Sequence, residues 1–144
     1  MTEINRSALV PYSAEQMFKL VDDVRAYPEF LPWCKSTTIH ERTDSMVEAS
    51  IEIEKVGINK SFTTRNTYQD KSLIEMQLVN GPFKSLHGYW RFDDLNDKAC
   101  KVSLDIRFEF SSKILSMTLG PLFSQICNTL VNAFVERARN VYGR

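Results

Sequence analysis

The sequence predicts an α+β fold: a curved antiparallel sheet of about seven strands wrapped around one long C-terminal helix. Three observations carry that expectation. Apolar and polar residues alternate from Cys34 to Phe110, the period of strands with one dry and one wet face. After Ser111 and Ser112 the apolar spacing changes to three and four residues, the period of a helix that buries one side. Short polar turns such as Gln69-Asp70-Lys71 and Asn96-Asp97-Lys98 separate the strands, so sequential neighbours should pair as hairpins.

Taken in order, Glu3 to Val10 reads as a first strand ended by Pro11. Ser13 and Gln16 have the spacing of a capping box, ahead of an apolar helical stripe at Met17, Phe18, Leu20, Val21 and Val24. Tyr27 to Trp33 holds two prolines and predicts only a short helical turn. The inward sets of the strands are then Val47/Ala49/Ile51/Ile53, Phe62/Thr64/Asn66/Tyr68, Ile74/Met76/Leu78, Leu86/Gly88/Trp90/Phe92 and Val102/Leu104/Ile106/Phe108/Phe110. Along the last helix the buried stripe is expected at Leu119, Leu122, Phe123, Ile126, Leu130, Phe134, Ala138 and Val141. Pro121 suits a first turn, so Gly120 is expected to divide a short turn at 114–119 from the main helix. No linker or internal repeat interrupts residues 1–144, which read as one domain.

Composition narrows the function. Eighteen basic and eighteen acidic residues leave a formal net charge of +0, without the basic excess that drives binding to bare nucleic acid. Cys34, Cys100 and Cys127 are spaced for neither a zinc site nor a redox pair and read as reduced thiols of a cytoplasmic protein. No basic start with an apolar stretch opens the chain, and no apolar run is read as reaching the ~20 residues of a membrane span. Membrane contact is therefore expected to be peripheral at most. His40 and His87 fall on different strands, with no metal-binding or hydrolase motif around them. The sequence thus predicts no catalytic residues and no metal. Cys127 reads as a small core residue.

A coiled sheet under one helix leaves space that side chains must fill or a ligand can occupy. The inward aromatic set is large, and Gly88 puts no side chain there. Taken singly, each aromatic reads as core. Three ordered blocks go further: Tyr27-Pro28-Glu29-Phe30-Leu31-Pro32-Trp33-Cys34; Asn80-Gly81-Pro82-Phe83-Lys84 with Leu86-His87-Gly88-Tyr89-Trp90-Arg91-Phe92; and Ala133-Phe134 with Arg137-Ala138. Together with the opening Arg6-Ser7-Ala8-Leu9-Val10-Pro11, they make the chain similar, nearly end to end, to the coenzyme Q-binding START-like family.

That resemblance implies a helix-grip fold with an apolar tunnel between sheet and helix. It implies a lipophilic ligand such as a polyprenyl quinone (ubiquinone) or another lipid, and a role in respiration. Its bacterial branch includes ribosome association toxins, which implies binding to the large ribosomal subunit, a block of subunit joining, and an antitoxin protein as a further partner. Enzymes enter only by analogy with related cyclases and dehydratases. For an apolar ligand the expected lining is Trp33, Met76, Leu78, Trp90, Phe108, Phe123 and Phe134. Thr64, Asn66 and Tyr68 either hydrogen-bond a quinone carbonyl or satisfy nearby backbone. Phe83, with Leu31 and Trp33, either rims a mouth that dips into a bilayer or folds back as a core plug. The outer strip of the last helix, Gln125, Asn128, Thr129 and Asn132, is polar and uncharged; it either docks a partner or underlies a loop. Arg137, Arg139 and Arg144 complement the helix dipole.

Overall fold

The computed structural model describes residues 1–143 except Val56 and Lys71; the expected turn through Lys71 and the expected dipole role of Arg144 therefore lie partly or wholly outside the described residues. Seven strands form one antiparallel sheet: β1 (Thr2–Val10), β2 (Cys34–Arg42), β3 (Met46–Lys55), β4 (Ile58–Gln69), β5 (Leu73–Asn80), β6 (Phe83–Asn96) and β7 (Ala99–Phe110). Their spatial order is β1-β7-β6-β5-β4-β3-β2. Every step from β2 to β7 is thus a hairpin, and only β1 crosses over to the far edge.

The alternation does what a period of two demands. Val102, Leu104, Ile106, Phe108 and Phe110 are all buried on β7, opposite exposed or half-exposed partners. Register shifts interrupt the pairing between Thr63 and Thr64, Phe83 and Ser85, and Asp94 and Asn96, with two more along β2. Such bulges bend and twist strands, and the bent sheet partly encloses α3 (Lys113–Tyr142). This is the helix-grip arrangement. Between β1 and β2 the chain forms α1 (Ala14–Asp22), a 3-10 turn (Val24–Ala26) and α2 (Tyr27–Phe30).

Helix starts follow their caps. Ser13 Oγ accepts from Gln16 N at 3.1 Å while Gln16 Oε1 accepts from Ser13 N at 2.9 Å, completing the predicted capping box. Ser112 Oγ accepts from Leu115 N to open α3. The expected break at Gly120 does not occur: α3 runs unbroken through Pro121. A proline there removes the hydrogen bond to the Met117 carbonyl. Met117 is among the exposed residues, so water can take that carbonyl and the helix continues.

The buried stripe of α3 is Leu119, Phe123, Ile126, Cys127, Val131, Phe134 and Ala138. Val141, expected inside, is 49% exposed, and Val131 takes a core position instead. By length and composition α3 is apolar enough to cross a membrane, contrary to the sequence reading, because residues 114–135 carry no charge. Here that apolar side packs on β1, β7 and α1.

The short N-terminal helices close one flank. Tyr27 and Phe30 meet Phe134 edge-on at 5.5 and 5.3 Å between centroids. Arg137 lies over the Phe30 ring and pairs with Glu29 at 3.2 Å, clasping α2 to α3. Arg42, on β2, bridges to both carboxylate oxygens of Asp22 at 3.3 Å, and Tyr68 OH donates to the same carboxylate. The end of α1 is thereby tied to β2 and β4. Tyr142 OH bonds the Gln16 carbonyl and Tyr12 OH the Gly143 carbonyl, holding the two termini of the fold together.

Candidate functional site: a small apolar cavity under the helix

Between the middle of α3 and strands β3 to β7 lies a cavity of about 80 Å³. Its walls come from Ala49, Ile51 and Ile53 on β3, Phe62, Thr64 and Asn66 on β4, and Met76 on β5. Leu86, Trp90, Leu104 and Ile106 form its floor. Phe123, Ile126, Cys127 and Leu130 of α3 roof it, and Val24, Tyr27 and Trp33 close the flank. The volume is about half the ~150 Å³ known to admit benzene in a protein core. A ring-sized ligand therefore requires α2 and Trp33, or α3, to move outward.

Of the residues expected to line a ligand site, the structure brings six together on this cavity: Trp33, Thr64, Asn66, Met76, Trp90 and Phe123. Five stand elsewhere. Tyr68 turns to Asp22 and Arg42 at the end of the sheet. Leu78 packs at the periphery of the core. Phe134 is fully buried between Tyr27, Phe30 and Trp90. Phe108 and Phe83 belong to an aromatic cluster with Phe62, Phe110 and Phe123, in which Phe83 stacks on Phe110 at 5.0 Å. Phe83 is 6% and Leu31 1% exposed, so the pair makes no bilayer-dipping rim; Phe83 is the plug.

Gly81 explains how Phe83 turns inward. Its φ of +152° suits glycine, and an added Cβ would stand 2.7 Å from Phe62 Cβ. Gly88 makes room for something other than a ligand. A Cβ there would meet Asp105 O at 2.7 Å, Met76 Cε at 3.0 Å and Ile106 Cα at 3.2 Å, so the space is already taken by strand β7 and the Met76 side chain.

The polar content of the cavity is small. Thr64 Oγ1 donates to Asn66 Oδ1 at 3.1 Å, a bond across the same face of one strand. Tyr27 OH donates to the Val21 carbonyl, and burial, reinforced by Asp22, pushes its ionisation far above the usual phenol range. Burial likewise pushes the Cys127 thiol up to about 12. A thiol held protonated is a poor nucleophile. His40 and His87 lie on the outer face, as their strand positions imply. His87 is less solitary than expected, with Nε2 2.7 Å from Glu75 Oε2 and its ring against Tyr89. Among the described residues no group of three His, Cys, Asp or Glu side chains could hold a metal ion. Cys34, Cys100 and Cys127 are free and buried.

The outer strip of α3 underlies no loop. Gln125, Thr129 and Asn132 are exposed, while Thr129 Oγ1 and Asn128 Nδ2 bond carbonyls of their own helix.

Comparison with known proteins matches this architecture. Residues 10–135 match the family described as polyketide cyclase/dehydrase and lipid transport. The chain is 48% identical over 142 residues to the ribosome association toxin RatA of Pseudomonas aeruginosa, covering 99% of each. It is 45% identical to RatA of Escherichia coli K12, covering 99% of this chain and 90% of that one. With the mitochondrial coenzyme Q-binding protein COQ10 of Drosophila melanogaster it shares 29% identity, over 96% of this chain and 59% of that one. Among solved structures, an 18 kDa protein of Caulobacter crescentus superposes with a TM-score of 0.77 at 32% identity, covering all of both chains. A START superfamily protein of Mycobacterium smegmatis gives 0.81 at 21% identity, covering 96% and 98%, which bears on the fold alone. The chain belongs to the polyketide cyclase/dehydrase and lipid-transport family, and within it to the group of relatives that includes RatA.

Proposed function

We propose that this chain is a non-enzymatic binding protein that holds a lipophilic, quinone-type ligand between sheet and helix. One observation carries this reading: an apolar cavity closed on its flank by the four-residue α2 and Trp33, with the polar pair Thr64 and Asn66 set in its wall. Burial of an apolar ring and tail supplies the affinity, at about 25 cal/mol per Å², and the polar pair orients the head. A ubiquinone, and with it a role in respiration, is the ligand that the coenzyme Q-binding relative favours. Organic extraction of the purified chain followed by mass spectrometry tests this. Polyprenyl or lipid species should co-purify, or load on incubation with quinone; a chain that stays empty under both conditions overturns the reading.

A second reading is favoured by the full-length likeness to the ribosome association toxins. In it the chain works in the cytoplasm through its exterior, docking on the large ribosomal subunit and blocking subunit joining, with an antitoxin as its counterpart. The exposed, uncharged strip of α3 is the surface to test. Purified chain added to ribosomal subunits should co-migrate with the large subunit on a gradient and reduce joined ribosomes. Normal joining without co-migration ends this reading. The two readings use different surfaces and both can hold of one molecule.

A further inference from the structure

The apolar content of α3 exceeds what the core uses. From Ile114 to Val135 the helix carries no charge, yet only 28% of its most apolar 18-residue stretch is buried. The excess gathers at the start of the helix. Ile114 is 73% and Met117 70% exposed, three residues apart and so neighbours on one face. Met1, 76% exposed, stands across a groove from Lys113 and Ser116. Apolar residues scattered singly over a surface are ordinary, whereas adjoining ones mark a contact site. This end of the fold, where β1, β2, β4 and β6 start and β3, β5 and β7 finish, is also basic. Its carboxylates are engaged: Glu3 with Arg107, Glu54 with Lys35, Glu109 with Lys84, and Glu52 with the Ser36 hydroxyl. Lys55, Lys60 and Lys113 are exposed and have no carboxylate partner among the described residues.

We propose that the start of α3 and the strand ends around it form a docking surface for an anionic lipid bilayer. Ile114 and Met117 enter the acyl boundary, while Lys113, Lys60 and Lys55 lie over the headgroups. A lipid surface offers apolar depth and negative charge together, which is what this patch complements. Bare nucleic acid offers the charge but no apolar layer to receive Ile114 and Met117. The surface is separate from the cavity, so the proposal stands or falls independently of the ligand reading above. Binding of the full chain is measured by flotation with phosphatidylcholine vesicles, with and without phosphatidylglycerol and free of quinone.

The chain should bind the anionic vesicles about tenfold or more above the neutral ones, since each basic residue near such a surface contributes about fivefold. Lys113→Ala should weaken binding by about fivefold on the same scale. Ile114→Ser with Met117→Ser should weaken it by about tenfold or more, the scale of two apolar side chains kept from the acyl boundary. Both variants alter exposed residues, so their Tm should stay that of the parent chain. Leu9→Ser with Leu95→Ser removes as much exposed apolar surface from the opposite end of the sheet and should leave binding unchanged. Full binding by the Ile114/Met117 variant overturns the proposal, as does equal binding to both kinds of vesicle or none to either. Self-association that the same variant abolishes, without vesicle binding, gives the patch to a second copy and also overturns it. Ribosomal RNA bound through Lys113 by a chain that ignores vesicles does so too.

Discussion

At one end of the helix–sheet interface Phe83 is pressed between Phe110, 5.0 Å away, and Phe123, 4.9 Å away, with Phe108 completing the cluster 4.8 Å from Phe123. Toward the middle, the same helix faces Ala49, Thr64, Asn66 and Met76 across a cavity. Phe123 belongs to both regions. The difference lies in side-chain size and shape: large planar rings interlock edge to face and leave no room, while the short side chains of Ala49, Thr64 and Asn66 under the same helix do not reach across. The aromatic end is therefore tightly filled, and the spare space lies in the middle.

The sharpest way to break that contrast is Phe83→Ala. Truncating a buried ring in a packed cluster should lower the unfolding free energy by about 3–5 kcal/mol, read from urea denaturation. A loss under ~1 kcal/mol, the scale of a loosely packed site, would show the two regions to be alike. Gly88→Ala comes next. Its Cβ would strike the Asp105 carbonyl and Ile106 Cα, which are backbone and cannot swing aside. A destabilisation of about 1–3 kcal/mol is expected, and a neutral outcome would mean that β6 and β7 separate easily.

In the middle the sign should reverse. Ala49→Val adds volume to the cavity wall and should raise stability by about 0.5–1 kcal/mol while weakening any ligand. A lowered Tm would show that the wall has no spare space. The smallest effect is a slope rather than a step, and it concerns Cys127 on the roof. Its folded pKa lies above its unfolded value of 9.0, at about 12, because burial opposes the thiolate. Unfolded chains therefore lose this proton first. The stability it contributes is whole below pH 9 and is lost as pH rises toward about 12. Urea midpoints should fall across that window, and Cys127→Ala should make the fall shallower; an unchanged slope would place the thiol in contact with water.

Much of this fold was legible because alternation and helical spacing are direct consequences of burying one face. The strand of Val102 to Phe110 and the capping box at Ser13 needed nothing more. The continuity of α3 was not legible, because proline's effect depends on whether water reaches the carbonyl it orphans, and that exposure belongs to the fold. The site was half legible. Thr64, Asn66 and Met76 announced themselves as polar or pliant residues on an inward face. Phe83, Phe108 and Phe134 were expected to border a space that they fill instead. The missed walls, Ala49, Ile51, Ile53 and Cys127, carry no signal beyond being apolar; a cavity lies where small side chains happen to face one another across strands distant in sequence.

The two irregularities in β2 matter beyond the curvature they introduce. This strand is the free edge of the sheet, bonded only to β3, and a free edge is a template for another chain's backbone. Shifts between Cys34 and Ser36 and between Ile39 and Glu41 break its run of evenly spaced donors and acceptors, and Lys35, His40, Glu41 and Arg42 stand exposed along it. An incoming strand would meet a kinked ladder and a row of exposed charged and polar side chains, so the features that curl the sheet also guard it against edge-to-edge aggregation.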